Sequence, residues 1–252
     1  MTGTPTDPAL LLVAHGTRNP RGVDMIAALA DAVSSRVGPT RVAFVDVLGP
    51  SPSEVLRDTD RPTVLVPAFL ASGYHVHTDV PREVAAGGND AVTITPALGP
   101  DPALARVLVE RLRQAGWTEG DEVVLAAAGS SDPRACHDVH VTARMVSSLV
   151  RTPVRVGWIA TGEPRVATVV DEVRARGARR VFVASCLLAD GLFHRRLSEV
   201  GADGVAAPIG VAEPVVDLVV RRYRSAVDAM RAVAPNEALR HAVPVGAARH
   251  RD

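Results

Sequence analysis

Four segments in the first half of the chain are echoed, in the same order, in the second. ALLLVAHGTRNPRG (9–22) returns as EVVLAAAGSSDPRA (122–135), and RVAFVDVLGP (41–50) as RVGWIATGEP (155–164). VLVPAFLASGYHVH (64–77) returns as VFVASCLLADGLFH (181–194), and ALGPDPALARVLVERL (97–112) as PIGVAEPVVDLVVRRY (208–223). Four matches in one order indicate an internal duplication. Within each copy, short aliphatic runs alternate with amphipathic ones, the pattern of strands and helices around a parallel sheet. In the first copy the strands are expected at 10–14, 41–47, 63–70 and 91–96. After GPDP, the spacing of Leu104, Val107, Leu108 and Leu112 predicts a helix with one face on that sheet. The chain is 47% hydrophobic but only 3% aromatic, so its core is aliphatic, as strands covered on both faces require. The expected fold is α/β: two similar Rossmann-like domains with mainly parallel sheets, 1–118 and 119–234, followed by a tail at 235–252.

Bulk properties exclude several functions. Lys+Arg and Asp+Glu both total 28, so no global field draws the protein to nucleic acid or an anionic membrane. Two cysteines, Cys136 and Cys186, are too few for a disulfide framework, a zinc ribbon or a four-cysteine cluster. MTGTPTDPAL lacks the basic and apolar regions of a signal peptide, and no apolar run approaches the roughly 20 residues of a membrane span. These features imply a cytoplasmic protein without nucleic-acid or membrane partners, a monomer with internal pseudo-twofold symmetry.

In open α/β sheets, ligands bind beyond the carboxyl ends of the strands. His15 follows the first expected strand, Asp46 lies near the end of the second, and His75 is in the loop after the third. Laying the two copies together, with the third segment moved by one residue so that Gly73 meets Gly191, pairs His15 with Ala128, Asp46 with Ala160 and His75 with Phe193. A residue needed only for folding should be matched in both copies, whereas a catalytic set can survive in one alone. Two imidazoles and a carboxylate in one cleft can bind a divalent transition metal or move protons near neutral pH. His77 is two residues from His75; in an extended loop both would face the same way, which makes His77 an accessory ligand. His137 and His140 have helical spacing and no fourth ligand, and read as a solvated helix face. A hydrolase is disfavoured because AAGSSDP is not a G-x-S-x-G elbow. A dinucleotide site is disfavoured because no G-x-G-x-x-G follows the first strand.

AHGTRNP, FVDVLGPSPSEVL and FLASGYHVHTDVP resemble signature segments of the class II tetrapyrrole chelatases, specifically the sirohydrochlorin chelatases of the SirB and CbiX type. That family has Ala-His-Gly-Ser/Thr at the first strand end and Gly-x-His-Val-x-x-Asp-Ile-Pro after the third. Here the second pattern reads Gly73, His75, Val76, Asp79, Val80 and Pro81. The resemblance runs to about Val233. It implies chelatase-like domains with the active site between them, and insertion of Fe²⁺, alternatively Co²⁺, into sirohydrochlorin for sirohaem or cobalamin synthesis. It implies catalytic and metal-holding roles for His15 and His75, with Asp46 where the family usually has glutamate. The ion is then a substrate, and no permanently bound cofactor is expected. A metal or tetrapyrrole carrier without turnover is the non-enzymatic alternative. The anionic macrocycle needs donors: backbone N–H groups of Gly16 and Thr17 ahead of a helix start, and Arg18, Arg21, His194, Arg195 and Arg196 at the two lips of the cleft.

Overall fold

A computed structural model describes residues 7–240, with side chains described to residue 232. The first copy contains β1 (Ala9–Ala14), α1 (Pro20–Val37), β2 (Thr40–Phe44), α2 (Pro52–Arg57) and β3 (Thr63–Pro67). A π-helical turn (His75–Asp79) then leads into α3 (Val80–Gly87), β4 (Val92–Ile94) and α4 (Pro102–Gln114). The second contains β5 (Glu122–Gly129), α5 (Pro133–Val150), β6 (Val154–Thr161), α6 (Val166–Ala175) and β7 (Val181–Cys186). It closes with α7 (Leu192–Arg196), a 3₁₀ turn (Leu197–Glu199), β8 (Gly204–Val205) and α8 (Glu213–Arg240). The helix α8 therefore enters the segment expected as a tail from 235; the rest of that segment, 241–252, lies outside the described residues.

The duplication is visible in the sheets. Their orders are β2-β1-β3-β4 and β6-β5-β7-β8, and every strand pairing is parallel. Helix starts repeat one device: Asn19, Ser51, Asp101 and Asp132 each cap a helix opened by proline. A short polar side chain accepts an otherwise orphaned N–H, and proline at the first position has no N–H to satisfy. β2 stops at Phe44, short of the expected 47, because Phe44 N–H donates to the Pro50 carbonyl at 2.9 Å and closes a loop. Within that loop Val47 has φ +67°, outside strand geometry.

Alternation along β1 separates two cores. Leu11 and Val13 face a cluster with Val55, Leu56, Leu65 and Val80, under α2 and α3. Leu10 and Leu12 face the opposite way, into a core containing Val64, Leu108, Leu125, Phe182 and Val219. This second core is continuous through both halves of the chain because the last helix of each copy is exchanged. α4 packs on β7 and α5, and α8 packs on β3 and α1. Arg36 of α1 further holds α8 by ion pairs to Glu213 and Asp217. The outer face of the second sheet is closed by α6 through Val166, Val169, Val170 and Val173.

Because α4 and α8 are the duplicated counterparts of one another, a fragment of residues 1–118 has a ready substitute for its missing α8: the α4 of a second copy. It is expected to sediment at twice the monomer mass or to aggregate. A cooperatively unfolding monomer in analytical ultracentrifugation and thermal melts would count against the exchange as a folding requirement.

Candidate active site

The order β2-β1-β3 places the site. From β1 the chain crosses to one side to form β2, then returns to the other side to form β3, so the loops after β1 and β3 diverge and leave a crevice between them. β1 is central and wholly apolar from Leu10 to Ala14, and His15 is its first polar residue. Gly16 follows at φ +97°, and a Cβ there would lie 2.1 Å from the Asp46 carbonyl oxygen. The turn is thus as tight as the backbone allows, which is why glycine follows the histidine. The second copy repeats it: Gly129 has φ +99° and its Cβ would lie 1.8 Å from the Thr161 oxygen.

Across the crevice, His75 opens the π-helical turn. Its ring meets that of His15 edge to face, with centroids 4.4 Å apart and planes at 85°. Phe69 stacks near His75 at 6.2 Å and Tyr74 flanks it at 6.0 Å. His75 Nδ1 is 2.7 Å from Asp79 Oδ2, and Arg82 Nη1 is 3.0 Å from Asp79 Oδ1. His15 Nδ1 is 3.0 Å from the Gly16 carbonyl. Both rings therefore have Nδ1 engaged locally, and Nε2 is the nitrogen each has left for a ligand.

The structure brings together His15 and His75 but not the other residues read as metal ligands. The Asp46 carboxylate accepts the Val47 N–H at 2.7 Å, while its backbone N–H donates to the His15 carbonyl at 3.0 Å. Among the described residues, no group of three or more His, Cys, Asp or Glu side chains is arranged to hold an ion. His77 diverges from His75 because the segment is a π-helical turn, not extended: two residues along such a turn carry the side chain roughly half-way round, to the opposite face. It lines a separate cavity of about 550 Å³ with Ser72, Pro100, Arg134 and His137. Neither thiol joins the site; Cys186 is buried, and desolvation pushes its pKa up to about 12.

The carboxyl ends of the two sheets face each other. Ser72 N–H donates to the Asp138 carboxylate at 2.8 Å, and Arg21 Nη1 meets Asp190 Oδ2 at 2.6 Å. Arg21 is thus paired across the halves. It is the main reason the Asp190 carboxyl lies below its ordinary range, with a smaller contribution from His194. His194 uses both ring nitrogens, on Asp190 at 3.2 Å and on the Ala206 carbonyl at 3.2 Å. That bonding turns it into its own half. Thr17 Oγ1 accepts the Asn19 N–H at 3.1 Å, a turn contact leading into α1. Arg18, Arg195 and Arg196 are exposed, with the Arg196 guanidinium 5.9 Å from the Phe193 ring centroid.

Strand register gives the counterpart of His75. Thr63 pairs with Ala9 and Val181 with Glu122, the first residues of the two central strands. His75 is twelve residues beyond Thr63, and Phe193 twelve beyond Val181. Phe193 and its neighbour Leu192 are exposed large apolar side chains, as is Tyr74. Asp79, matched in the sequence only as part of a signature segment, is the partner of His75 that the sequence analysis does not pair with it. It was visible in the His-x-x-x-Asp spacing, which brings two side chains together only if the segment is helical.

Fold and site define a class: a duplicated parallel α/β protein with an imidazole pair at the switch point of its first sheet. The CbiX family model matches the chain twice, over residues 9–115 and 122–226, and the chain belongs to that family. SirB from Bacillus subtilis with Fe3+ has the same fold, with a TM-score of 0.74 and 22% identity over 87% of this chain and 95% of that one. So does CbiX described as the terminal enzyme for siroheme biosynthesis in denitrifying bacteria, with a TM-score of 0.66, 24% identity, and coverage of 86% and 99%. Two relatives are about the length of one copy. The sirohydrochlorin cobaltochelatase of Methanothermobacter thermautotrophicus is 27% identical over 130 residues, covering 42% of this chain and 91% of that protein. That of Saccharolobus solfataricus is 28% identical over 120 residues, covering 42% and 93%.

Two outcomes follow from this geometry. Gly16→Ala and Gly129→Ala both force a side chain against backbone at positive φ, so each should destabilise by at least about 2 kcal/mol in denaturant melts. Arg21→Gln should remove a small stabilisation, at most about 1 kcal/mol for so exposed a pair. The Asp190 pKa is depressed in the folded protein. The contribution is therefore present above the unfolded carboxylate value of about 3.9 and lost as pH falls through the folded one. Wild type and variant should converge in acid unfolding curves.

Proposed function

We propose that this protein inserts a divalent metal ion into sirohydrochlorin, with His15 and His75 holding the ion and receiving protons. The observation that carries this reading is the pair of imidazoles, 4.4 Å apart at the mouth of the first sheet, in a member of the CbiX family. Metal insertion into a free-base tetrapyrrole releases two pyrrole protons. A working site therefore needs neutral nitrogen ligands that bind the ion briefly and bases near the macrocycle centre. Imidazole does both near neutral pH. The side chains that replace His15 and His75 in the second copy, Ala128 and Phe193, are apolar, and Phe193 and its neighbour Leu192 are exposed. Such a surface suits the face of a macrocycle, while the exposed Arg18, Arg195 and Arg196 suit its peripheral carboxylates.

In this proposal Asp46 assists, its carboxylate offsetting the charge of the incoming ion after release from the Val47 N–H. The metal is Fe²⁺, with Co²⁺ as the alternative. Imidazole donors accept both, and the named relatives include a SirB with Fe3+, a SirB in complex with cobalt and two cobaltochelatases.

The test is visible spectroscopy of the purified protein with excess metal-free sirohydrochlorin and Fe²⁺, Co²⁺ or Ni²⁺, singly and in competition. Conversion of many equivalents is expected, with Fe²⁺ preferred; a change that stops at one equivalent would identify a carrier and overturn the enzymatic reading. His15→Ala and His75→Ala should each lower turnover about 10²-fold or more. At His15, an exposed position, the melting curve should barely move. Asp46→Glu should retain more activity than Asp46→Asn, and equal activity of acid and amide would remove the charge from the mechanism.

A further inference from the structure

We propose that Asp79 is the positioning residue of His75. It fixes the ring so that Nδ1 carries the proton and Nε2 presents its lone pair to the cleft, and Arg82 in turn holds the carboxylate. This rests on the chelatase reading only for its functional consequence, not for the positioning itself.

The geometry is direct. One carboxylate oxygen lies 2.7 Å from Nδ1 and the other 3.0 Å from the Arg82 guanidinium. An ionised carboxylate only accepts, so the hydrogen on that contact belongs to the imidazole. With Nδ1–H committed, Nε2 is the acceptor and the only nitrogen of His75 able to take a metal ion or a proton from a ligand. A carboxylate behind a metal-binding histidine holds the tautomer and ring orientation and raises the basicity of the liganding nitrogen.

Burial argues that this contact is the reason for the aspartate. Asp79 is only 6% exposed, and placing a carboxylate there costs desolvation that an apolar side chain would avoid. The second copy shows what the fold takes when no imidazole has to be held. Asp79 is sixteen residues beyond Thr63, and sixteen beyond Val181 stands Leu197, 1% exposed. The buried Asp and the histidine it contacts are replaced together, by Leu197 and Phe193. The carboxylate does not serve the helix that follows either: Asp79 stands at the start of α3 but its side chain makes no capping hydrogen bond there.

The second copy also supplies the variant for the test. Asp79→Leu places at this position the side chain that the equivalent site accommodates, so the protein should fold, and thermal melting checks that it does. Asp79→Asn keeps the shape and removes the charge, and Asp79→Glu retains the carboxylate as a partial rescue. The first readout is the tautomer of His75, from ¹⁵N shifts of the imidazole nitrogens at about pH 8, above the ordinary imidazole pKa. Wild type should show the Nδ1–H form alone, and Asp79→Leu a mixture rich in Nε2–H. The second readout is metal affinity, from Co²⁺ absorption titrations, together with the KM for metal against that for sirohydrochlorin. Asp79→Leu should bind Co²⁺ about 10- to 100-fold more weakly and raise the KM for metal while leaving the KM for the tetrapyrrole unchanged. Asp79→Glu should fall between. A folded Asp79→Leu protein with wild-type tautomer populations and wild-type Co²⁺ affinity would overturn the assignment. A wild type without turnover, whose Nδ1–H tautomer is nevertheless lost in the variant, would sustain the positioning role and sink the chelatase reading instead.

Discussion

Each sheet of this protein has one apolar face that the helices of its own half of the chain leave incompletely covered, and the missing cover comes from the other half. Leu10, Leu12, Val64 and Val66 lie in the same core as Val215, Val219 and Tyr223 of α8, while Leu104, Leu108 and Leu112 of α4 share it with Phe182 of the second sheet. Each fully buried aliphatic side chain contributes about 1.5–3 kcal/mol relative to exposure, so the exchange of two helices is a large term in the stability of either sheet. It also has a geometric consequence. Because neither half is complete without the other, the carboxyl ends of the two sheets are held against each other, and the polar contacts Ser72–Asp138 and Arg21–Asp190 form where they meet. The same packing that makes the fold stable thus brings the loops after β1 and β3 against the second half of the chain.

Within that frame the site is assembled from strand ends. A central parallel strand buried on both faces presents no polar side chain until it leaves the sheet, and the first it presents is His15. The neighbouring strand, after a longer excursion, returns His75 to the same place. The balanced total of 28 cationic and 28 acidic residues leaves the electrostatics of the site to local groups, not to a field of the whole molecule. Duplication separates chemistry from architecture: both copies keep the glycine turn that brings the first strand end against the second, and only one keeps the imidazoles and the buried carboxylate.

The legibility of these features differed in a consistent way. The order of elements, the parallel sheets and the placing of His15 and His75 beyond neighbouring strands were readable because they depend on local hydrophobic periodicity and on comparing one copy with the other. Side-chain partnerships were not. Reading FLASGYHVHTDVP as extended placed His77 beside His75; the helical turn places Asp79 there instead and sends His77 to another cavity. The sequence suggests a ligand-facing place for Arg21 and His194, and the fold turns both onto Asp190, a residue with no distinguishing signal in the sequence. The strand expected to carry Asp46 ended two residues before it, so its carboxylate lies in a loop and bonds the next backbone N–H.

By itself, then, the sequence determined the repeated α/β plan, the aliphatic cores, the strand end that delivers His15 and the following loop that carries His75, since each follows from residue type at fixed short spacing. Only the tertiary structure decided which copy each terminal helix covers, which nitrogen of His75 is free, and which charged groups are already paired. Those outcomes depend on contacts between residues as far apart as Arg21 and Asp190, and on the local helical winding that sets which way a side chain points. Neither is encoded in the period of the pattern; both are settled when apolar faces are buried and the polar groups carried with them must find partners.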